Sequence, residues 1–163
     1  MASGFDDAVE KAMATALRDQ AALLQDFITV LSEEQAALAE GRLDDLMPLA
    51  NRKSDLSARL AETDDKRLKS IGVGVGGDPI KVMSVWLHAH PDTGDLASTW
   101  QAVLDLAAKA RDLNTLNGKL IAQRMHHNQQ ALAILMAARD AAALYGPDGQ
   151  PRLGGTGRSL GSA

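Results

Sequence analysis

The sequence predicts an all-α protein, and its composition is the first reason for that fold class. Of the 163 residues, 28 are alanine and 23 are leucine, whereas Phe, Tyr and Trp together contribute five. Alanine and leucine favour helices, and aromatic residues are typical of sheets and thick cores. We therefore expect an elongated, antiparallel, coiled-coil-like bundle of three helices, with a very long C-terminal helix.

Glycine and proline positions supply the second reason, because they divide the chain into helical stretches. We expect helices at about 6–40, 45–71, 79–90 and 95–144, the third of them short. The glycines at 72–77 predict a linker, since no strand precedes them as a dinucleotide-binding fingerprint would require. Residues 1–145 are predicted to form one helical domain, and the Gly/Pro-rich 146–163 a flexible tail.

Apolar spacing is the third reason, and it is clearest in the first stretch. Heptads place leucine at d and mostly small or β-branched residues at a: Leu17, Leu24, Leu31, Leu38 and Ala14, Ala21, Ile28, Gln35. The second stretch carries a stripe that Lys53 interrupts and that Thr63, Asp64 and Arg67 weaken: Leu46, Leu49, Leu56, Leu60. A short link between the stretches predicts an antiparallel hairpin.

The last stretch carries an inner stripe with a polar middle. Its members are Leu96, Trp100, Val103, Ala107, Ala110, Leu113, Asn114, Asn117, Leu120, Ile121, Arg124, Asn128, Leu132 and Leu135. Buried Asn in a helical seam sets the register of the partners. Alternatively, leucines with amides between them form a groove for an amphipathic helix of another chain. The spacing alone leaves both interpretations open.

Several function classes are not supported by the residues. There is no cysteine, hence no thiolate nucleophile and no zinc site with sulfur ligands. His88 and His90, and likewise His126 and His127, are spaced so that they diverge on a helix and do not share one ion. No nucleophile motif is present, so we expect neither an enzyme nor a cofactor or metal site.

Charge and hydropathy limit the partners in the same way. The net charge is −4, and neither half of the chain has the dense basic patch that a phosphate backbone requires, so no nucleic acid is expected. No stretch approaches about 20 uninterrupted apolar residues, so no stable membrane insertion is expected. The first residues lack the features of a signal peptide, which predicts a cytoplasmic location.

Tyr145, the only tyrosine, lies where the last helix is predicted to end, directly before Gly146. Such a tyrosine can be a hydrophobic cap on the final helical turn. It can also be an exposed aromatic anchor, because aromatic residues are enriched at interface hot spots.

Several motifs together resemble the FlgN-type flagellar export chaperones. In the second half these are Asp112-Leu-Asn-x-x-Asn117-Gly118-x-Leu120-Ile121, Asn128-Gln-Gln-Ala-Leu132-x-x-Leu135 and Leu144-Tyr-Gly-x-Asp-Gly-Gln150, preceded by Trp100-Gln101. In the first half they are Leu31-x-x-Glu34-Gln-x-x-Leu38-x-x-Gly41 and Leu46-x-x-Leu49-x-x-x-Lys53. The resemblance covers about residues 20–70 and 96–150.

The resemblance implies a non-enzymatic cytoplasmic chaperone of flagellar type III secretion. Such proteins bind the C-terminal regions of the hook–filament junction (hook-associated) proteins, prevent their premature assembly and deliver them to the export gate. The cargo-binding residues it implies are Leu113, Asn114, Asn117, Leu120, Ile121, Asn128, Leu132 and Leu135. Tyr145 and Gly146 are implied to dock at the cytoplasmic domain of the export gate.

A structural coiled-coil protein that acts through self-assembly is the alternative hypothesis. It predicts that layers at Asn114 and Asn117 control the oligomeric state. The chaperone hypothesis predicts a monomer or a weak homodimer with an unoccupied groove.

Overall fold

Helices account for all regular secondary structure in residues 3–72 and 78–144, which are the residues that the computed structural model describes. They are α1 (Ser3–Glu40), α2 (Leu46–Ser70), α3 (Pro79–Ala89) and α4 (Gly94–Leu144), with one 3₁₀ turn at Leu43–Asp45 before α2. The all-α class is thereby confirmed for the described residues. Residues 73–77 of the linker predicted at 72–77, Tyr145 and the predicted tail at 146–163, which begins with Gly146, lie outside them. Contacts divide the chain into two units, Met1–Leu120 and Ile121–Ala163.

The helix ends follow the local signals in the sequence. Gly41 has a φ of 76°, a left-handed conformation that glycine adopts without strain, and it ends α1. The N–H of Arg42 then donates to the carbonyl of Ala37 at 2.9 Å, which satisfies one free carbonyl of the last turn. At the start of α3, the Asp78 carboxylate accepts from the N–H of Ile80 at 3.0 Å, and Pro79 fits the first helical position.

In the first unit, α1 and α2 form an antiparallel hairpin. Side-chain hydrogen bonds pair Glu33 with Arg52 near the turn and Gln20 with Asp64 further from it. Earlier residues of α1 therefore contact later residues of α2, as in an antiparallel pair. Leu23, Val30 and Ala37 of α1 pack with leucines of α2 between the helices. The α2 stripe is confirmed at Leu49 and Leu56, which are buried, whereas Leu46 and Leu60 are partly buried.

A second apolar cluster joins α1 to α3 and to the first part of α4. It contains Met13, Leu17, Leu24 and Leu31 of α1, Met83 of α3, and Leu96, Trp100, Val103 and Ala110 of α4. All four predicted d leucines of α1 are buried, while the a residues are only partly buried. The heptad missed Leu23, Val30 and Ala37, because α1 packs against two apolar clusters and therefore buries a wider arc than a two-helix seam.

Arg67 requires a correction to the sequence interpretation of α2. The sequence suggested that Thr63, Asp64 and Arg67 weaken the inner stripe, but Arg67 is fully buried. Its Nη2 donates to Asp64 Oδ1 at 2.6 Å, and its guanidinium lies 4.6 Å from the centre of the Trp100 ring. A counter-ion and an aromatic face compensate the buried charge, so the arginine belongs to the core.

Candidate partner-binding surface

The first unit contains four of the eight predicted cargo-binding residues, all on α4. Asn114 is exposed, Leu113 and Leu120 are partly buried, and Asn117 is fully buried. Leu113 packs against the apolar cluster that joins α1 to α4. In this unit the inner stripe is therefore mainly a packing surface, as the burial of Trp100 and Val103 also indicates.

Asn117 belongs to a polar layer that connects three helices. Its Nδ2 donates to the Leu31 carbonyl at 2.7 Å and to Glu34 Oε2 at 2.9 Å. The Lys53 ammonium donates to both Glu34 carboxylate oxygens, at 2.9 and 3.0 Å, and to Asn114 Oδ1 at 3.4 Å. A buried Asn with internal partners of this kind favours the register-control interpretation at position 117.

The second unit contains the other four predicted residues. Ile121 is partly buried, whereas Asn128, Leu132 and Leu135 are exposed. Leu132 is 57% exposed and Leu135 is 71% exposed. All side chains from 125 to 138 are in fact exposed. A helix normally buries such large apolar groups, so this segment is a candidate surface for a partner.

Sequence reasoning missed three exposed apolar residues of the same segment: Met125, Ile134 and Met136. At about 100° per residue, Met125 and Met136 fall within an arc of about 100° that also contains the predicted residues. We call this arc the α4 stripe: Ile121, Met125, Asn128, Leu132, Leu135 and Met136. Ile134 lies on the opposite face. The signal was present in the sequence, since 131–138 are eight consecutive apolar residues.

Charge is distributed unevenly around the α4 stripe. Residues 125–138 contain no Asp, Glu, Lys or Arg, and they are flanked by Arg124 and Arg139. Arg139 has a highly exposed side chain near Asp140, at 3.5 Å. Among the described residues, no ion pair is formed by Arg124, which is partly buried. The surface is thus uncharged over about four turns and basic at both ends.

Other features of the described residues include a groove beside α3. A groove of about 410 Å³ beside α3 is lined by Ile71, Val85, Trp86 and His90 among others, and the Trp86 and His90 rings stack at 4.4 Å. Across 3–72 and 78–144, no group of three or more His, Asp or Glu side chains is placed to hold a metal ion. Within the same ranges, no helix is both long and apolar enough to cross a membrane.

The resolved pKa shifts arise at exposed ion pairs of the hairpin. The hydrogen bond from Lys66 lowers the pKa of Glu62, and the hydrogen bond to Asp7 raises the pKa of Lys11. Both pairs link residues one helical turn apart, at 2.8 Å, as surface pairs on helices commonly do. These shifts therefore reflect local surface pairing and do not indicate acid–base chemistry.

Comparison with known proteins identifies the family. The FlgN protein family model matches residues 9–152. The chain is 34% identical over 149 residues to the flagella synthesis protein FlgN of Yersinia enterocolitica, covering 88% of this chain and 92% of that protein. It is 31% identical over 131 residues to the protein of the same name from Salmonella typhimurium, covering 78% and 81%. For the Escherichia coli protein of that name the identity is 29% over 140 residues, covering 85% and 88%.

No significant match to a solved structure was found. The family match covers most of the described residues, including most of the hairpin and all of α3 and the α4 stripe. The resemblance found in the sequence motifs is confirmed, and this chain belongs to the FlgN family.

Proposed function

We propose that this chain acts in flagellum synthesis as a cytoplasmic export chaperone. It binds the C-terminal segments of hook-associated proteins, prevents their premature assembly and delivers them to the cytoplasmic domain of the export gate. The role in flagellum synthesis is supported by the FlgN family and by the name of its relatives, flagella synthesis protein. No bond-breaking step is part of this function.

The observation that carries the proposal is the exposed, uncharged and apolar segment 125–138 of α4. Large side chains such as Leu132, Ile134 and Leu135 are at least half exposed, although water contact with such groups is unfavourable. An amphipathic helix of a cargo protein covers such a surface by packing its own apolar ridge against it. The α4 stripe supplies the matching ridge on this chain.

The polar members of the segment complement this packing. Asn128, Gln129 and Gln130 are exposed and provide both donors and acceptors. They can satisfy polar groups at the edge of a bound helix without adding a charge that the cargo must neutralise. A cargo segment that folds on binding loses part of the contact energy to ordering, which keeps the complex reversible and suits release at the gate.

The packed residues Leu113 and Asn117 have a different role in this proposal. Asn117 is fully buried and hydrogen-bonded to α1, so it supports the helix and does not contact cargo. Leu113 packs into the apolar cluster of the first unit. The proposed cargo surface is therefore the α4 stripe.

Replacing Leu132 or Leu135 by Asp is expected to weaken binding of the cargo segments at least tenfold. Each change puts a carboxylate into an interface that is otherwise uncharged, and taking a charge out of water there is costly. Calorimetric titration with the C-terminal segments of hook-associated proteins from the same bacterium measures this loss. Far-UV circular dichroism and thermal unfolding are expected to change little, because both leucines are exposed in the free protein.

Met47→Asp is the matched control for Leu135→Asp. Met47 is 70% exposed and Leu135 is 71% exposed, but Met47 lies on α2. We expect wild-type cargo affinity for this control. Normal binding by both leucine variants would refute the α4 stripe as cargo surface. A sedimentation mass that rises with concentration, and returns to that of a monomer in Leu132→Asp, would instead support self-assembly through this stripe.

Tyr145→Ala separates delivery from cargo binding. The resemblance implies that Tyr145 and Gly146 dock at the gate, so the variant should keep cargo affinity and weaken binding to the gate's cytoplasmic domain. Loss of an aromatic anchor at a hot spot costs about 2 kcal/mol, a factor of about 30 in affinity. Titration of cargo segment and gate domain in separate experiments tests this. An equal loss toward both partners, or a clear drop in Tm, would identify Tyr145 as a helix cap.

A further inference from the structure

The two arginines that flank the uncharged segment lie on the same side of α4 as the α4 stripe. Arg124 and Arg139 are 15 positions apart, which is four turns plus about 60° of rotation and about 22 Å along the axis. Arg124 lies one turn before Asn128, and Arg139 lies one turn after Leu135, so both continue the stripe at its ends.

The charges of the region are arranged so that these two arginines stand out. Between them the helix has no Asp, Glu, Lys or Arg. The only acidic residue in the described part of the second unit is Asp140, which is next to Arg139. Asp140 is adjacent in sequence, with 69% of its side chain exposed, and its contact with Arg139 is long at 3.5 Å. Such a pair is weak in water and leaves the guanidinium free to bind a second carboxylate.

From this arrangement, we propose that the α4 stripe selects a helical partner segment whose carboxylates bracket an uncharged apolar face. One carboxylate pairs with Arg124 and the other with Arg139, so they are spaced about 22 Å, or about 15 residues, apart. The apolar face between them packs on Met125, Leu132 and Leu135. This inference rests on the proposed function, since the partner is taken to be the cargo segment.

The arrangement sets both register and affinity. An apolar ridge alone allows a bound helix to slide by a turn, because one leucine resembles the next. Two charge pairs at fixed separation favour a single alignment, and the uncharged middle disfavours a segment that has charges in its centre. Binding is accordingly expected to weaken with increasing ionic strength, as it does for exposed charge pairs.

The test is titration of the wild type, Arg124→Gln, Arg139→Gln and the double variant with C-terminal segments of hook-associated proteins. Measurements are made at about 0.01 M and 0.15 M ionic strength. We expect each single change to weaken binding about two- to fivefold and the double change about tenfold at low ionic strength. The double variant should also lose most of the salt dependence of the wild type.

Two controls isolate the charge. Arg111→Gln removes an arginine of α4 whose side chain is 76% exposed and adjacent to Asp112, as Arg139 is 76% exposed and adjacent to Asp140. Arg111 lies in the first unit, and this variant should bind as the wild type does. The double variant Arg124→Lys/Arg139→Lys keeps both charges and should retain most of the affinity.

The outcomes separate this inference from the function on which it rests. If the segments bind the wild type but neither the glutamine changes nor salt affects the affinity, the bracketing inference is wrong and the chaperone function stands. If the lysine double variant loses as much affinity as the glutamine one, charge is not the cause and the inference is again wrong. Failure of the segments to bind the wild type would overturn both.

Discussion

Arg67→Ala is expected to lower the free energy of unfolding by about 3 kcal/mol. The side chain is fully buried, so its removal leaves a cavity between α2 and α4. It also removes the charge that neutralises Asp64 and the cation that lies 4.6 Å from the Trp100 ring centre. The ion pair with Asp64 contributes only a moderate part of this loss, because a third of the Asp64 side chain is exposed to water. Urea denaturation followed by circular dichroism measures the loss.

Arg59→Ala and Arg67→Met are the comparison variants. Arg59 is exposed on the same helix, so its loss should cost no more than about 0.5 kcal/mol. Arg67→Met keeps most of the volume and removes the charge, which should give a loss between those of the two alanine variants. A loss below about 1 kcal/mol for Arg67→Ala would mean that the guanidinium contributes little to the packing of Trp100.

The sequence was sufficient to predict the helices, but it did not predict how wide the buried face of each helix is. Helix boundaries followed from Gly41 and Pro79, and the seam of α1 followed from its heptad of leucines, because these signals are local. Which further residues of α1 are buried depends on how many partners the helix has, and that is a property of the assembled first unit. Leu23 and Val30 were therefore missed, although both are apolar.

Polar residues within apolar stripes were the harder case. Lys53 and Arg67 looked like interruptions of the α2 stripe, since charged residues usually lie at the surface. Their partners are Glu34 on α1, Asp64 on α2 itself and Trp100 on α4, and the distant ones cannot be found from spacing within one helix. Packing of three helices brings such residues together, and the apolar spacing within one helix does not show how the helices pack.

The sequence predicted several residues of the candidate surface, but it did not predict where along α4 this surface begins. Asn128, Leu132 and Leu135 were predicted and are exposed, as a partner surface requires. Asn117 belongs to the same periodic stripe and is buried, because α4 packs against α1 at this point. Periodicity identifies the face of a helix, whereas tertiary contacts decide where along that face packing ends and exposure begins.

Lys53→Met tests the polar layer around Asn117, with an expected loss of about 3 kcal/mol in the free energy of unfolding. Glu34 has a side chain that is only 4% exposed and that forms a salt bridge with Lys53 at 2.9 Å. Without the lysine, the carboxylate stays buried with the Asn117 amide as its remaining donor. An unpaired buried charge is among the most costly defects in a core.

Glu34→Leu combined with Lys53→Met is expected to recover most of that loss, to within about 1 kcal/mol of the wild type. Replacing both members of a buried pair by apolar groups removes the desolvation cost together with the attraction. The neighbouring pair Glu33–Arg52 is the control, because it joins the same two helices with both side chains about half exposed. Arg52→Met should cost less than about 1 kcal/mol. A double variant no more stable than Lys53→Met alone would mean that the loss comes from packing of the lysine stem and not from the stranded carboxylate.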